Sequence, residues 1–259
     1  MTNDTKKLFA PMSETVKRLV YKLTTSKLSD DQLRDLAFAG RLRRLFDEHR
    51  IDTVLDVGAN TGQFRDFLRR KVGFKGQIES FEPVPDLAAH LMTRAESDTH
   101  WKIHTCALGP ETGQKTINVM AKTEFNSFLN PVTTGSHQDQ MNKVKKTVTV
   151  PITTLDTVFN KRDLSRTYLK LDTQGYDLEV LKGGQRAIKD VPALQTEISI
   201  HPFYADMPTF SDTISAFERH GFAMADLYLV SSDDAKRAME FDCLMVRVDR
   251  NLAALPRVA

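Results

Sequence analysis

Residues 54–62 read VLDVGANTG, an apolar run that leads directly into a glycine-rich loop. The apolar run is typical of a buried parallel strand, and residues 64–70 after the loop have the spacing of an amphipathic helix. Glycines at such a junction let the backbone turn tightly and approach a ligand closely. This stretch therefore predicts the first strand, loop and helix of a nucleotide-binding α/β sheet.

The same alternation of strands and helices continues on the C-terminal side. Strands are predicted at residues 77–81, 100–108, 167–171, 193–200, 222–230 and 241–248, and helices at 85–95, 177–182 and 212–220. Such a rhythm favours a mostly parallel sheet with right-handed crossovers. Residues 109–151 interrupt it with two half-buried strands, 116–120 and 146–150, and a polar loop at 126–143 that contains His137.

Residues 1–48 form a helical N-terminal extension in this interpretation. Ser29 is its predicted N-cap, and Gln32 occupies the capping-box position. A packing helix, a lid and a dimer arm all remain open for this segment. The predicted organisation is thus an extension at 1–48, one ligand-binding domain at 49–250 with its insertion at 109–151, and a tail at 251–259.

Composition narrows the class of protein. The 259 residues carry 36 basic and 34 acidic side chains, and this near balance gives no reason to expect nucleic acid as a partner. The two cysteines, Cys106 and Cys243, have neither metal-site nor disulfide-framework spacing. Neither a signal peptide nor a transmembrane run is evident, so a cytoplasmic location is expected.

The acidic residue Glu82 sharpens the ligand prediction. It ends the second strand, about 20 residues after the glycine loop, where a carboxylate accepts hydrogen bonds from ribose hydroxyls. Dinucleotide and S-adenosylmethionine sites share this pair of features. The loop reads GxNxG at Gly58, Asn60 and Gly62, which departs from the GxGxxG spacing of a pyrophosphate site. Asp56, at the strand end, is positioned to hold a ligand ammonium group directly or through water.

Two further segments complete the predicted ligand site. Ala59 belongs to the loop itself, and its backbone is expected to face the ligand. Cys106, Ala107 and Leu108 end the predicted third strand and are expected beside the adenine, because open α/β sheets bind ligands beyond the carboxyl ends of their strands. Cys106 is interpreted as a small buried apolar residue rather than a nucleophile.

These motifs together resemble the FkbM family of methyltransferases. The resemblance rests on VLDVGANTG at 54–62, FEP at 81–83, ALG at 107–109 and LKLDTQGYDLEVLKG at 169–183, and it runs from about residue 51 to 248. Residues 126–128, Asn-Ser-Phe, resemble the short serine motif of the family's middle insertion.

The resemblance implies a class I, Rossmann-like methyltransferase fold. Its mostly parallel sheet has seven strands with an antiparallel final strand and helices on both faces. The implied reaction is methyl transfer from S-adenosylmethionine to a hydroxyl oxygen of a sugar, glycolipid, polysaccharide or related metabolite. By position, the cofactor is bound by Asp56, Gly58, Asn60, Gly62 and Glu82.

A hydroxyl acceptor needs one general base near the transferred methyl group. Asp172, at the carboxyl end of the strand 167–171, is the first candidate; Glu197 and His201 are the others. Glu197 alternatively pairs with Lys170, and Asp172 with Glu197 alternatively holds a divalent metal. Asp177 and Glu179 are expected to be solvated or to cap the following helix.

Three other interpretations stay open. An NAD(P)-dependent oxidoreductase shares the loop and the acid, although the loop spacing disfavours it. A non-catalytic binding module shares the whole cofactor site. A nucleic-acid methyltransferase is disfavoured because no clustered basic face or target-base motif is evident. The acceptor, any metal and the oligomeric state, including a homo-oligomer, are not determined by the sequence.

Overall fold

The structure is a computed structural model that describes residues 28–132, 142–233 and 235–248. Residues 1–27 of the predicted extension, residues 133–141 of the polar loop with His137, and the tail at 251–259 lie outside the described residues.

A seven-stranded sheet forms the centre of the molecule. Its spatial order is β3, β2, β1, β7, β8, β10, β9, and only β10 runs antiparallel to its neighbours. The strands are β1 (Thr53–Val57), β2 (Gln77–Phe81), β3 (Trp101–His104), β7 (Thr167–Leu171), β8 (Ala193–Ser199), β9 (Phe222–Ser232) and β10 (Ala238–Arg247). This order and the antiparallel β10 confirm the predicted class I methyltransferase fold.

Helices cover both faces of this sheet. The first face carries α1 (Asp30–Glu48), α2 (Gln63–Phe67) with a π-helical turn (Leu68–Val72), and α3 (Pro85–Ala95). The second face carries α4 (Leu155–Val158), α5 (Asp177–Lys182) and α6 (Phe210–Arg219). Successive strand residues alternate between the two cores; Tyr168 packs on the first face, and Leu169 packs on the second.

Helix α1 is fixed by both of its ends and by its buried face. Ser29 and Gln32 form the predicted capping box at its start. Leu42, Leu45 and Phe46 are buried against the first face of the sheet. The helix therefore belongs to the packed core rather than to a detached arm.

The insertion forms a second, three-stranded sheet in the order β4, β6, β5. Its strands are β4 (Ala107–Leu108), β5 (Gly113–Met120) and β6 (Val144–Thr153), with β5 antiparallel to β6. The two predicted insertion strands are confirmed as the cores of β5 and β6.

One strand prediction was wrong in extent. The predicted strand at 100–108 divides into β3, which pairs with β2, and β4, which pairs with β6 of the small sheet. The chain leaves the main sheet after His104 because residues 107–108 find their backbone partners in the insertion. The helix predicted at 64–70 is likewise divided between α2 and the π-helical turn. Within the described residues, no helix is both long enough and apolar enough to cross a membrane.

Candidate functional site

A cavity of about 420 Å³ opens at the carboxyl ends of the parallel strands. Its size is typical of a small-molecule site. One end is lined by the loop after β1, by Glu82 after β2 and by Ala107 and Leu108 of β4. The other end is lined by side chains from β7, β8, β10, β9 and α1. The insertion contributes Ile117 of β5 and Phe128 of the segment after it.

The glycine loop makes unusually close contact with the end of β7. Gly58 has φ +86°, and a Cβ atom built there would lie 1.9 Å from the Asp172 carbonyl oxygen. The amides of Gly58 and Ala59 both donate to the Phe81 carbonyl, which holds the loop against β2. Only glycine at position 58 therefore allows the loop to lie against β2 and, at the same time, this close to the Asp172 carbonyl at the end of β7.

Asn60 connects the loop to its surroundings. It has φ +49°, in the left-handed region that asparagine tolerates better than most residues. Its amide donates to Glu82 Oε2 at 2.8 Å, and its Oδ1 accepts from Thr123 Oγ1 at 3.1 Å. Thr123 belongs to the turn after β5, so Asn60 joins the loop to the insertion.

Glu82 is buried but retains the capacity to bind a ligand. Its Oε1 accepts from the Val84 amide at 2.9 Å, and its Oε2 accepts from Asn60. Each carboxylate oxygen has a further lone pair, and the side chain lines the cavity. Burial raises the pKa of Glu82 to about 7, although the two amide hydrogen bonds oppose this shift.

Lys170 lies between two carboxylates beneath the cavity. Its Nζ is 3.0 Å from Asp172 Oδ2 and 3.4 Å from Asp56 Oδ1. Burial alone lowers the pKa of Lys170, but Asp172 and Asp56 outweigh it and raise the pKa above its usual value. The ammonium group therefore stays charged.

Asp56 is fully enclosed and is absent from the cavity lining. Its Oδ2 accepts from Ser80 Oγ at 3.1 Å, whereas its Oδ1 accepts no hydrogen bond from any described residue. Burial raises the pKa of Asp56, and Lys170 opposes that shift. In this conformation a direct contact between Asp56 and a ligand ammonium is not formed, because Lys170 occupies that side of the carboxylate.

Gln174 organises the acidic residues on the other side of the cavity. It has φ +52°, and its Nε2 donates to Asp172 Oδ1 at 3.1 Å and to Glu197 Oε2 at 2.6 Å. Its Oε1 lies 2.9 Å from the Tyr204 hydroxyl, and its carbonyl accepts from Ser127 Oγ at 2.8 Å. The strained backbone of Gln174 thus positions two of the predicted catalytic carboxylates together.

Glu197 and Asp242 face each other across the β8–β10 pair. Both line the cavity, and no ion pair joins either of them to a described cation. Burial raises the pKa of Glu197, and the nearby carboxylates Asp172, Glu240 and Asp242 raise it further. Burial also raises the pKa of Asp242 to about 6. The alternative Glu197–Lys170 pair is not formed, and Lys170 pairs with Asp172 and Asp56.

Two predicted residues lie away from the cavity. His201 is exposed beyond the end of β8 and does not line it. Cys106 is half-buried, packs against the second core and does not line the cavity either, whereas its neighbours Ala107 and Leu108 do. The break between β3 and β4 turns Cys106 away, which corrects the expectation that it lies beside the ligand.

Gly62 and Asp177 contribute to the packing of the fold and do not line the cavity. Gly62 caps α2 with φ +86°, and a Cβ atom there would lie 3.0 Å from Trp101 Cη2. Asp177 was expected to be solvated or capping; it is buried, and it accepts from the Thr173 amide and from Thr196 Oγ1 at 2.6 Å. In the part of the chain that the structure describes, no group of three metal-ligating side chains is present, so the metal prediction gains no support.

Several residues that line the cavity were not predicted from the sequence. Asp35 and Phe38 reach the cavity from α1, Gln195 from β8, and Asp242 from β10. Asp242 had one usable signal, since it is an acidic residue next to the apolar run at residues 243–246. Asp35 and Phe38 had none, because a helical pattern shows which face is buried and not which cavity it borders.

Comparisons with known proteins agree with this geometry. A family model described as the methyltransferase FkbM domain matches residues 56–224. A comparison with curated protein sequences gave no significant match.

Three solved structures illustrate the likeness of the fold. Magnesium protoporphyrin IX methyltransferase from Synechocystis PCC 6803 has a TM-score of 0.46 and 9% identity, with 91% of this chain and 92% of that chain covered. An rRNA methylase from Streptococcus thermophilus has a TM-score of 0.42 and 11% identity, with 81% of this chain and 95% of that chain covered. The 1,6-didemethyltoxoflavin-N1-methyltransferase from Burkholderia thailandensis has a TM-score of 0.41 and 9% identity, with 90% of this chain and 87% of that chain covered. These likenesses are distant, and no acceptor follows from them.

Proposed function

The chain belongs to the FkbM methyltransferase family, and we propose that it transfers the methyl group of S-adenosylmethionine to a hydroxyl oxygen. The proposed acceptor is a sugar, glycolipid, polysaccharide or related metabolite. The observation that supports this function best is a single cavity. It is lined by the glycine loop and by Glu82, the acid expected to bind ribose hydroxyls, and also by Glu197 and Asp242, which have no described cation at ion-pair distance.

The loop end of the cavity fits S-adenosylmethionine. Gly58, Ala59 and Asn60 offer close backbone approach, and Glu82 has free lone pairs for ribose hydroxyls. Ala107 and Leu108 give an apolar surface for the adenine. When bound, the cofactor supplies an activated methyl group, so the chain itself must position the acceptor, exclude water and remove one proton.

We assign the general base to Glu197 rather than to Asp172. Asp172 Oδ2 is in an ion pair with Lys170 Nζ at 3.0 Å, so this oxygen is already engaged. Glu197 has no described cation at ion-pair distance, and burial raises its pKa and with it the affinity of the carboxylate for a proton. Two carboxylates in contrasting environments are typical of divided acid–base roles.

In this mechanism the other polar residues position the base. Gln174 holds Glu197 and Asp172 together through its Nε2, and Lys170 donates a hydrogen bond to Asp172 Oδ2. The acceptor hydroxyl would give its proton to Glu197, and its oxygen would take the methyl group as the methyl–sulfur bond of the sulfonium breaks. The products are a methyl ether and S-adenosylhomocysteine.

The cofactor assignment is tested by calorimetric titration with S-adenosylmethionine, S-adenosylhomocysteine and NADH. We expect the first two to bind, NADH not to bind, and Glu82→Ala to lose the binding. Asp86→Ala, which removes an exposed carboxylate nearby, is the matched control and should bind normally. Binding of NADH alone would support the oxidoreductase alternative.

The base assignment is tested with Glu197→Gln and with Glu179→Gln as control. Glu179 lies on α5, pairs with Lys182 and does not line the cavity. With methyl-labelled cofactor and a panel of hydroxylated acceptors, loss of the base should reduce kcat by about 10²- to 10⁴-fold. Affinity for S-adenosylhomocysteine should not change. Alkali-stable label indicates an ether; cofactor binding without transfer to any acceptor would favour the non-catalytic module.

A further inference from the structure

Helix α1 lies outside the matched family region, yet it forms part of the cavity wall. We propose that Asp35 and Phe38 of α1 contact the methyl acceptor and select one that presents a ring face and carries no negative charge. This inference rests on the proposed function, because it takes the β8–β10 end of the cavity as the acceptor end.

The position of α1 supports an acceptor contact rather than a cofactor contact. The loop and Glu82 lie at β1 and β2, whereas Phe38 packs on Tyr228 of β9 with ring centroids 4.6 Å apart. In the sheet order, β9 and β2 are separated by four intervening strands, and each adds about 4.8 Å. Tyr228 lies opposite Asp242 in the β9–β10 register, and Asp242 lies opposite Glu197, so the ring of Phe38 borders the Glu197 and Asp242 side of the cavity as well as α2.

The helix is held firmly enough to define a binding surface. Arg41 Nε donates to Asp226 Oδ2 of β9 at 2.6 Å. Arg43 donates to the carbonyls of Lys71 and Val72 at 2.8 and 3.1 Å. These contacts join α1 to β9 and to the π-helical turn, so Asp35 and Phe38 are carried on a helix that is fixed before any ligand binds.

The wall next to Asp35 is aromatic. Phe38 stacks on Phe67 with centroids 5.5 Å apart, and Phe67 stacks on Phe64 at 6.3 Å. All three rings line the cavity. A row of ring faces buries the apolar face of a cyclic acceptor and leaves its hydroxyl groups directed to polar side chains.

The charge of the wall determines which rings are accepted. Among the described residues, Lys170 is the only cationic side chain that lines the cavity, and it is already paired with Asp172. Asp35, Glu197 and Asp242 add negative charge, and none of them has a cation at ion-pair distance in the part of the chain that the structure describes. An acceptor with a phosphate or carboxylate would meet this field without compensation. Asp35 is exposed, so its charge can be changed with little effect on packing.

The test measures binding of two ring probes to the complex with S-adenosylhomocysteine. The probes are 4-nitrophenyl β-D-glucopyranoside and the corresponding glucuronide, which differ by one carboxylate. We expect the wild-type protein to bind the glucoside about tenfold more tightly, and Asp35→Lys to remove most of this preference. Asp47→Lys makes the same charge change at the exposed far end of α1 and should retain the preference.

A second variant tests the aromatic wall. Phe38→Leu keeps an apolar side chain but removes the stacking face, so binding of both probes should weaken while affinity for S-adenosylhomocysteine stays constant. The proposal is overturned if the wild-type complex binds neither probe, if Asp35→Lys behaves like Asp47→Lys, or if Asp35→Lys alters cofactor affinity. Failure of the proposed function is distinct, because the wild-type protein would then not bind S-adenosylhomocysteine.

Discussion

Replacing Gly58 by alanine tests how tightly the cofactor loop is packed against β7. Two costs are expected. A residue with a Cβ atom in the left-handed region costs about 1–2 kcal/mol. The new Cβ atom would also lie 1.9 Å from the Asp172 carbonyl oxygen, and overpacking of this kind costs about 1–3 kcal/mol.

Gly73→Ala is the matched control for Gly58→Ala. Gly73 has φ +79°, close to the +86° of Gly58, but a Cβ atom there meets nothing within 4 Å. The control therefore has the backbone cost alone, and the difference between the two variants isolates the clash with β7.

Thermal unfolding and titration with S-adenosylhomocysteine measure the two consequences. At about 2–4 °C per kcal/mol for a domain of this size, Gly58→Ala should unfold roughly 2–12 °C below Gly73→Ala. It should also lose cofactor affinity, since the loop must move away from Asp172, whereas Gly73→Ala should bind normally. Equal melting temperatures, or normal binding by Gly58→Ala, would refute the reasoning.

Two further predictions concern buried charge. Lys170→Met leaves Asp56 and Asp172 without their cation and should lower the free energy of unfolding by about 3–5 kcal/mol in urea titrations at pH 7.5, whereas Lys102→Met, at an exposed site, should change it little. Burial raises the pKa of Glu82 from 4.5 to about 7, so the folded state binds this proton more tightly than the unfolded state. This tighter proton binding contributes about 3 kcal/mol to the free energy of unfolding. The contribution is fully present below pH 4.5 and is lost as the pH rises to about 7. The melting temperature of the wild-type protein relative to Glu82→Gln should therefore fall over that interval; a rise would contradict the assignment.

Local patterns were sufficient for much of the fold. The capping box of Ser29 and Gln32, the apolar run of β1 and the glycines after it depend on residues close together in the sequence. Such features follow from helix capping, strand periodicity and the freedom of glycine, which act without knowledge of distant partners. The strand order then follows from the family resemblance.

The failed predictions all depended on distant partners. Residues 107–108 continue an apolar run from β3, and only their pairing with Ile152 and Thr153 of β6 assigns them to another sheet. Asp177 is buried because Thr196, on the next strand, supplies a hydroxyl group. His201 lies two residues beyond the end of β8 and is exposed to solvent, whereas Asp172 directly follows β7 and lines the cavity. Sequence spacing does not encode any of these three outcomes.

The sequence predicted several residues of the site but not the hydrogen bonds between them. The loop, Glu82, Asp172 and Glu197 were named from their places at strand ends, and all contribute to one cavity. The bridge by Gln174 was not predicted, because its left-handed backbone and four contacts arise only when β7, β8 and the insertion meet.

The position of β10 has a consequence for how the protein is made. β10 follows β9 in the chain but lies between β8 and β9 in the sheet, so β9 has no sheet neighbour until β10 is in place. During synthesis, residues 193–232 leave the ribosome with two strand edges open, and open edges recruit other chains. The hairpin must therefore insert as a unit after Arg247 has emerged. Asp242 reaches the cavity in that same event, so the cavity lining is complete only in chains in which β8 and β9 have both gained their shared neighbour.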